Sequence, residues 1–183
     1  TVCAKEADGL ADVGSPLAGR EVRIVDGEVW LRAASMAQGY WRNGQLIPLV
    51  NAEGWFATRD RGVLKDGKLT IVGRMDNLFF SGGEGIQPEE VERVIAAHPH
   101  VLQAFIVPIE DKEFGHRPVA VVEYDTNACD TNLAEWVKDK LARFQQPVCW
   151  LTLPPELKSG GIKISRRALS DWVSASLLKL SKQ

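Results

Sequence analysis

Asp60 stands between two arginines in the run Thr58-Arg59-Asp60-Arg61-Gly62. An ionised carboxylate only accepts hydrogen bonds, and its two oxygens suit the paired hydroxyls of a ribose. The same group would equally serve as a surface partner for the neighbouring guanidinium groups, an arrangement that stabilises little. Further on, Ser81-Gly82-Gly83-Glu84-Gly85 places three glycines among four residues. Glycine loses the most backbone entropy on ordering, so such a run belongs where the chain needs positive φ or where something approaches the backbone closely. It reads as a glycine loop feeding a helix, either as a tight connection with no ligand or as a ligand-facing loop. Lys163 follows a second glycine pair, Gly160-Gly161. A lysine on such a loop is most often simply solvated.

These groups need elements to hold them. Residues 1–20 are small, glycine-rich and loop-like, with a turn at Gly14-Ser15-Pro16. Asp26-Gly27, between Val22–Val25 and Glu28–Arg32, predicts a hairpin, and Asp66-Gly67, between Val63–Lys65 and Lys68–Gly73, predicts another. Gly39-Tyr40-Trp41 closes the first unit, its aromatics expected in a core. Asp60 then precedes the second hairpin, and Gly73-Arg74-Met75-Asp76 ends its last strand.

Glu89–His98 has Val91, Val94 and Ile95 on one face and acids early, the pattern of an amphipathic helix. Its N-terminus would lie just beyond the glycines, adding unpaired N–H groups. Val101–Ile109, Val119–Tyr124 and Val148–Leu153 read as strands. The polar connection Asp111–Arg117 would carry His116 as a surface-loop residue. Thr131–Leu141 predicts a second helix capped by Thr131 or Asp130, and Arg167–Leu178 a last one.

With 183 residues, 45% hydrophobic and 25% charged, the composition is that of a globular protein. A net charge of −2 argues against a nucleic-acid binder. No apolar run is long enough to span a bilayer and no signal-peptide pattern opens the sequence. Cys3, Cys129 and Cys149 are odd in number and scattered, which fits a reducing cytoplasm. His98, His100 and His116 have no zinc-site spacing.

Gly73, Arg74, Asp76, Gly83, Ile86, Glu90 and Glu92 resemble the hinge motif of the adenylate-forming superfamily, which includes acyl-CoA synthetases, luciferases and peptide-synthetase adenylation domains. Ser81-Gly82-Gly83-Glu84 resembles its acyl-CoA ligase version, with Phe80 where lysine is common. Gly54-Trp55-Phe56-Ala57-Thr58-Arg59-Asp60-Arg61-Gly62 is similar to the ribose motif Gly-Trp-Phe-x-Thr-Gly-Asp-x-Gly, with Arg59 in the place of a glycine. Lys163-Ile164-Ser165-Arg166 is similar to the closing Gly-Lys-Ile-x-Arg. Here Gly-Gly-Ile precedes the lysine, which leaves Lys158 as a weaker competitor.

The resemblance implies adenylation of a carboxylic acid by ATP with Mg2+, then thioester formation with CoA as co-substrate. Lys163 would be the adenylation lysine, its ammonium offsetting charge gathered on the carboxylate and α-phosphate. Asp60 would hold the ribose, and Arg74 would contact the ribose or phosphate side. Asp76 would be the pivot between the half-reactions. Gly82, Gly83 and Glu84 would let the pantetheine arm pass the backbone. No metal site of the chain's own, no nucleic-acid partner and no membrane span are expected.

The implied fold class is α+β. Residues 1–75 would form the strand-rich end of the large adenylating domain, and residues 76–183 a small C-terminal lid domain with helices on a short sheet. The Ser/Thr/Gly-rich phosphate loop and the aromatic-Gly-x-Thr-Glu adenine motif of the superfamily have no counterpart here. The chain therefore reads as a C-terminal portion, inactive alone, that packs on the missing large domain and leaves homo-oligomerisation open. A non-catalytic binding module with the lid fold, and an adenylation domain loading a carrier protein, are the alternatives.

Overall fold

A computed structural model describes residues 12–125, 132–158 and 164–180, which adopt an α+β structure. Backbone contacts divide the chain into two compact units, Thr1–Asn77 and Leu78–Gln183.

The first unit is built on hairpins. β1 (Arg20–Val25) and β2 (Glu28–Ala33) are joined by Asp26-Gly27, with φ of +50° and +80°. β5 (Phe56–Lys65) and β6 (Lys68–Arg74) are joined by Asp66-Gly67, at +51° and +73°. Two positive φ values are what a two-residue turn needs to match strand twist. The strands form an antiparallel sheet in the order β1-β2-β5-β6. Its core is thin: among the described residues only Val29, Trp55 and Leu69 are buried hydrophobics. Trp55 compensates by lying between two guanidinium groups, Arg23 at 4.2 Å and Arg32 at 4.6 Å from its ring, a cation–π arrangement. Asp12, also buried, accepts from the Gly14 amide (3.0 Å) and from Lys68 (3.2 Å).

A third hairpin lies between these. β3 (Gly39–Arg42) and β4 (Gln45–Pro48) turn at Asn43-Gly44 and form a two-stranded sheet of their own. The expectation of core packing for its aromatics is not met: Tyr40 is 53% and Trp41 73% exposed. A two-stranded ribbon has too few neighbours to bury them.

The second unit has a five-stranded sheet covered on both faces. β9 (Val101–Asp111) and β10 (Gly115–Tyr124) pair antiparallel along their length, and β11 (Cys149–Thr152) pairs parallel with Val119–Val122. β7 (Phe79–Ser81) and β8 (Glu84–Ile86) form a small hairpin that joins β10 at Gly115. Successive strand residues face opposite sides. Ala120 and Val122 accordingly pack under α1 (Pro88–Ala96) and α2 (Leu133–Lys138), with Val91, Ile95, Leu133 and Val137. Val119 and Val121 pack on the other face with Leu169 and Val173 of α4 (Arg166–Leu180). A strand covered on both sides reads as an unbroken apolar run. All three helices present their apolar residues at i and i+4, one face of the helical period. A single turn, α3 (Pro155–Lys158), precedes α4.

Three local expectations change. The glycine run does not feed a helix directly: Gly82 and Gly83, at φ +59° and +87°, are the turn of the β7–β8 hairpin, and β8 separates them from α1. His116 lies within β10 rather than in a loop, exposed, its ring edge-on to Phe79 at 6.4 Å. Asn132 caps α2, its side chain accepting from the Glu135 amide at 3.2 Å; Asp130 and Thr131 lie outside the described residues. Among the described residues no helix is long and apolar enough to cross a membrane.

Candidate functional site

The ribose-motif residues sit on a bulge in β5. Glu28 pairs with Arg61 and Trp30 with Ala57, so one residue of β2 faces three of β5, Thr58, Arg59 and Asp60. Bulges re-aim side chains, and this one is fastened on three sides. Thr58 Oγ1 donates to the Val29 carbonyl (2.8 Å) and accepts from the Asp60 amide (3.0 Å). The Arg59 amide donates to Glu28 Oε1 at 2.8 Å. Arg59 itself has φ +65°, the left-handed region that costs a non-glycine residue about 1–2 kcal/mol. The glycine usual at this place is therefore a conformational requirement, and arginine meets it against its own preference.

The bulge brings three of the candidate residues together. Asp60 lies opposite Arg74 across β5 and β6. Arg74 Nη1 donates to Asp60 Oδ1 (2.9 Å) and to the Thr58 carbonyl (3.3 Å), while Nη2 donates to Asp76 Oδ2 (3.4 Å). Asp76 belongs to a 3₁₀ turn, Met75–Asn77, directly after β6. Its other oxygen faces Arg59 Nη2 at 3.6 Å. Two carboxylates and two guanidinium groups thus form one chain of contacts, with side chains 36–65% exposed. Partial exposure keeps each contact individually weak and keeps Asp60 open to an incoming hydroxyl.

The remaining candidates lie in the second unit. The Gly82 amide donates to the Phe114 carbonyl (2.9 Å), and a side chain at Gly82 would meet the Phe114 ring at 3.1 Å. Gly83 has open space around its Cα and Glu84 is exposed. Backbone at Gly83 is accordingly approachable. Lys163 belongs to 159–163, which lie outside the described residues. The residues on either side of that segment are anchored. Lys158 Nζ donates to Glu123 Oε1 of β10 at 2.8 Å. Arg166 grips Glu92 of α1 through both nitrogens, at 2.9 and 3.0 Å, and reaches Glu89 at 3.2 Å. Glu92 Oε1 also accepts from the Ile106 amide (2.8 Å). Burial pushes the Glu92 carboxyl above its ordinary range, against the opposing pull of Arg166 and the Ile106 amide. Lys158, the weaker competitor for the adenylation role, is thus already engaged by a carboxylate.

Sequence reasoning missed the Arg166–Glu92 clamp and the reach of Arg59 to Asp76. The first had a faint signal, since both residues belong to the matched motifs. The second had none beyond an arginine in a glycine's place. Among the described residues no group of three or more His, Cys, Asp and Glu side chains is placed to hold a metal ion.

Comparison with known proteins follows the same outline. Residues 90–158 match the model of the AMP-binding enzyme C-terminal domain. The chain is 82% identical over 173 residues to the 2-succinylbenzoate–CoA ligase of Escherichia coli strain K12, covering 94% of this chain and 38% of that protein. Among solved structures, an E. coli MenE variant with bound OSB-AMS superposes with a TM-score of 0.83 at 81% identity, over 94% of this chain and 38% of that one. The Bacillus subtilis o-succinylbenzoate CoA synthetase in complex with the acyl-adenylate intermediate OSB-AMP gives a TM-score of 0.67 at 30% identity, over 78% of this chain and 32% of that one. The chain spans well under half the length of the relatives it matches.

Proposed function

We propose that the chain is the C-terminal portion of an ATP-dependent acid–CoA ligase, an o-succinylbenzoate–CoA ligase of menaquinone biosynthesis, a reading supported by the match of residues 90–158 to the model of the AMP-binding enzyme C-terminal domain. The observation that carries this reading is the contact chain Asp60–Arg74–Asp76, in which Asp60 stands on the β5 bulge, Arg74 ends β6 and Asp76 follows it in a 3₁₀ turn. It is supported by the 82% identity to a 2-succinylbenzoate–CoA ligase. Residues 1–75 would close the large domain and residues 76–183 would be the lid.

A carboxylate is a poor acyl donor because oxide is a bad leaving group. Attack of the carboxylate oxygen on the α-phosphorus of ATP, supplied with Mg2+ as substrate, expels pyrophosphate and leaves an acyl-adenylate. The thiolate of CoA then attacks the acyl carbon and AMP departs. In this scheme Asp60 accepts from the ribose hydroxyls and Arg74 lies beside the nucleotide. Lys163 offsets the charge that gathers on carboxylate and phosphate. Asp76 is the pivot, at the end of an element, where hinges commonly lie. Gly82, Gly83 and Glu84 border the path of the pantetheine arm. The setting is cytoplasmic, and the partners are the acid, ATP and CoA.

The test is made with the complete protein, upstream segment included. Pyrophosphate release that requires o-succinylbenzoate, followed by CoA thioester formation, is the expected result. Loading of a carrier protein in place of CoA, or nucleotide binding without turnover, would overturn it. The 183-residue chain alone is expected to show no turnover.

A further inference from the structure

Arg59 is held in an unfavourable backbone conformation, φ +65°, which glycine would adopt without steric strain. Strain of this kind persists where the side chain is used. The guanidinium of Arg59 lies on the side of Asp76 not taken by Arg74: Oδ1 faces Arg59 at 3.6 Å and Oδ2 faces Arg74 at 3.4 Å. Arg74 is simultaneously committed to Asp60 at 2.9 Å and to the Thr58 carbonyl at 3.3 Å. Asp76 therefore does not depend on Arg74 alone, and a nucleotide that draws Arg74 toward itself leaves a cation still facing the carboxylate. The Arg59 backbone is in turn fixed by Glu28, which accepts its amide at 2.8 Å.

We propose that Arg59 is a positioning residue that holds the Asp76 carboxylate against the strand-rich unit and so slows release of the pivot between the two half-reactions. The proposal rests on the ligase reading. It does not require Arg59 to touch any substrate. Because the contact is electrostatic and exposed, it is screened by salt.

Arg59→Gly separates this role from a structural one, since glycine suits the backbone that arginine strains. Thermal melts of the 183-residue chain should show Arg59→Gly as stable as the parent or more so. In the complete ligase, adenylation is followed by pyrophosphate release, and the passage from preformed adenylate to thioester by single-turnover mixing with CoA. Expected for Arg59→Gly is an adenylation rate within a factor of about two and a passage faster by about two- to fivefold at low ionic strength, the size of one exposed ion-pair contact. Added salt should accelerate passage more in the parent than in the variant, which keeps only the Arg74–Asp76 contact, and Arg59→Lys should restore parental behaviour. An unchanged or slower passage, or a parallel fall of both half-reactions, overturns the proposal. A complete parent protein that forms no adenylate at all refutes instead the ligase reading beneath it.

Discussion

Arg166 and Glu92, 74 residues apart, meet in a two-pronged contact of 2.9 and 3.0 Å that ties the start of α4 to the middle of α1. The carboxylate is largely withdrawn from solvent, its side chain 14% exposed, and its charge is tolerated because the fork of a guanidinium meets both oxygens and the Ile106 amide adds a further donor. Lys158, the last described residue before 159–163, is held by Glu123.

Arg166→Met should therefore cost about 3 kcal/mol at neutral pH, the penalty for stranding a buried charge. Burial already raises the Glu92 carboxyl, and removing the opposing cation raises it further. A carboxyl raised in the folded state contributes stability that is complete below the ordinary glutamate range, near about pH 4. That contribution is lost as pH rises through the raised value. The gap between variant and parent should accordingly narrow in acid. Thermal melts of both chains at about pH 4 and about pH 7 read it directly, and a gap independent of pH would contradict the assignment to Glu92.

Asp60→Asn keeps shape but replaces an acceptor-only group with one that also donates. In the complete ligase it should raise the KM for ATP by about tenfold or more, the value of a hydrogen bond to a charged group. Discrimination between ATP and its deoxyribose analogues should shrink in the variant. If the parent and Asp60→Asn distinguish those nucleotides equally, Asp60 does not read the ribose.

The two turn glycines should differ. Alanine at either position meets a positive φ and loses about 1–2 kcal/mol, but at Gly82 its methyl also presses on the Phe114 ring at 3.1 Å. Urea unfolding of the isolated chain should rank Gly82→Ala as the more destabilised. Gly83→Ala, with open space around it, should fold well. If the pantetheine arm passes there, it should lose thioester formation while keeping adenylation.

Lys163→Ala in the complete ligase should lower adenylation by about a hundredfold or more, the scale of losing one positioned charge-stabilising group. It should still convert supplied acyl-adenylate to thioester. Lys158→Ala, which removes an ion pair to Glu123, should leave adenylation within a few-fold of the parent, with a stability loss of about 1 kcal/mol or less. Reversal of the two phenotypes, measured by pyrophosphate release, would make Lys158 the working lysine.

Much of this was legible in the sequence wherever a local rule determines the outcome. Asp26-Gly27 and Asp66-Gly67 announce hairpins because few residues tolerate two positive φ values in succession. Val119–Val122 announces a strand buried on both faces because only such a strand is apolar throughout. The β7–β8 hairpin was hidden because three-residue strands are too short to show a period, so its glycines read as a loop. Asn43-Gly44 carries the same turn chemistry as its neighbours, yet Tyr40 and Trp41 beside it suggested a core that the ribbon does not have. The grip of Arg166 on Glu92 lay beyond reach because nothing local links two residues separated by most of a domain. Asp60, Arg74 and Asp76 were each visible as motif residues. Their meeting depends on the β5 bulge, which shows in the sequence only as an arginine where a glycine belongs.

The β3–β4 ribbon carries a last consequence. Tyr40 lies across from Ile47 and Trp41 across from Leu46, and adjacent pairs point to opposite faces. All four residues are exposed, so the ribbon is oily on both sides. Among the described residues its two strands pair only with each other, and outer edges of this kind are the template on which further strands add. A net charge of only −2 provides little mutual repulsion between molecules. Prepared by itself, the chain is therefore a poor colloid: its scattering should climb steeply with concentration, and charged residues in place of Trp41 and Leu46 should flatten that climb without disturbing the four- and five-stranded sheets.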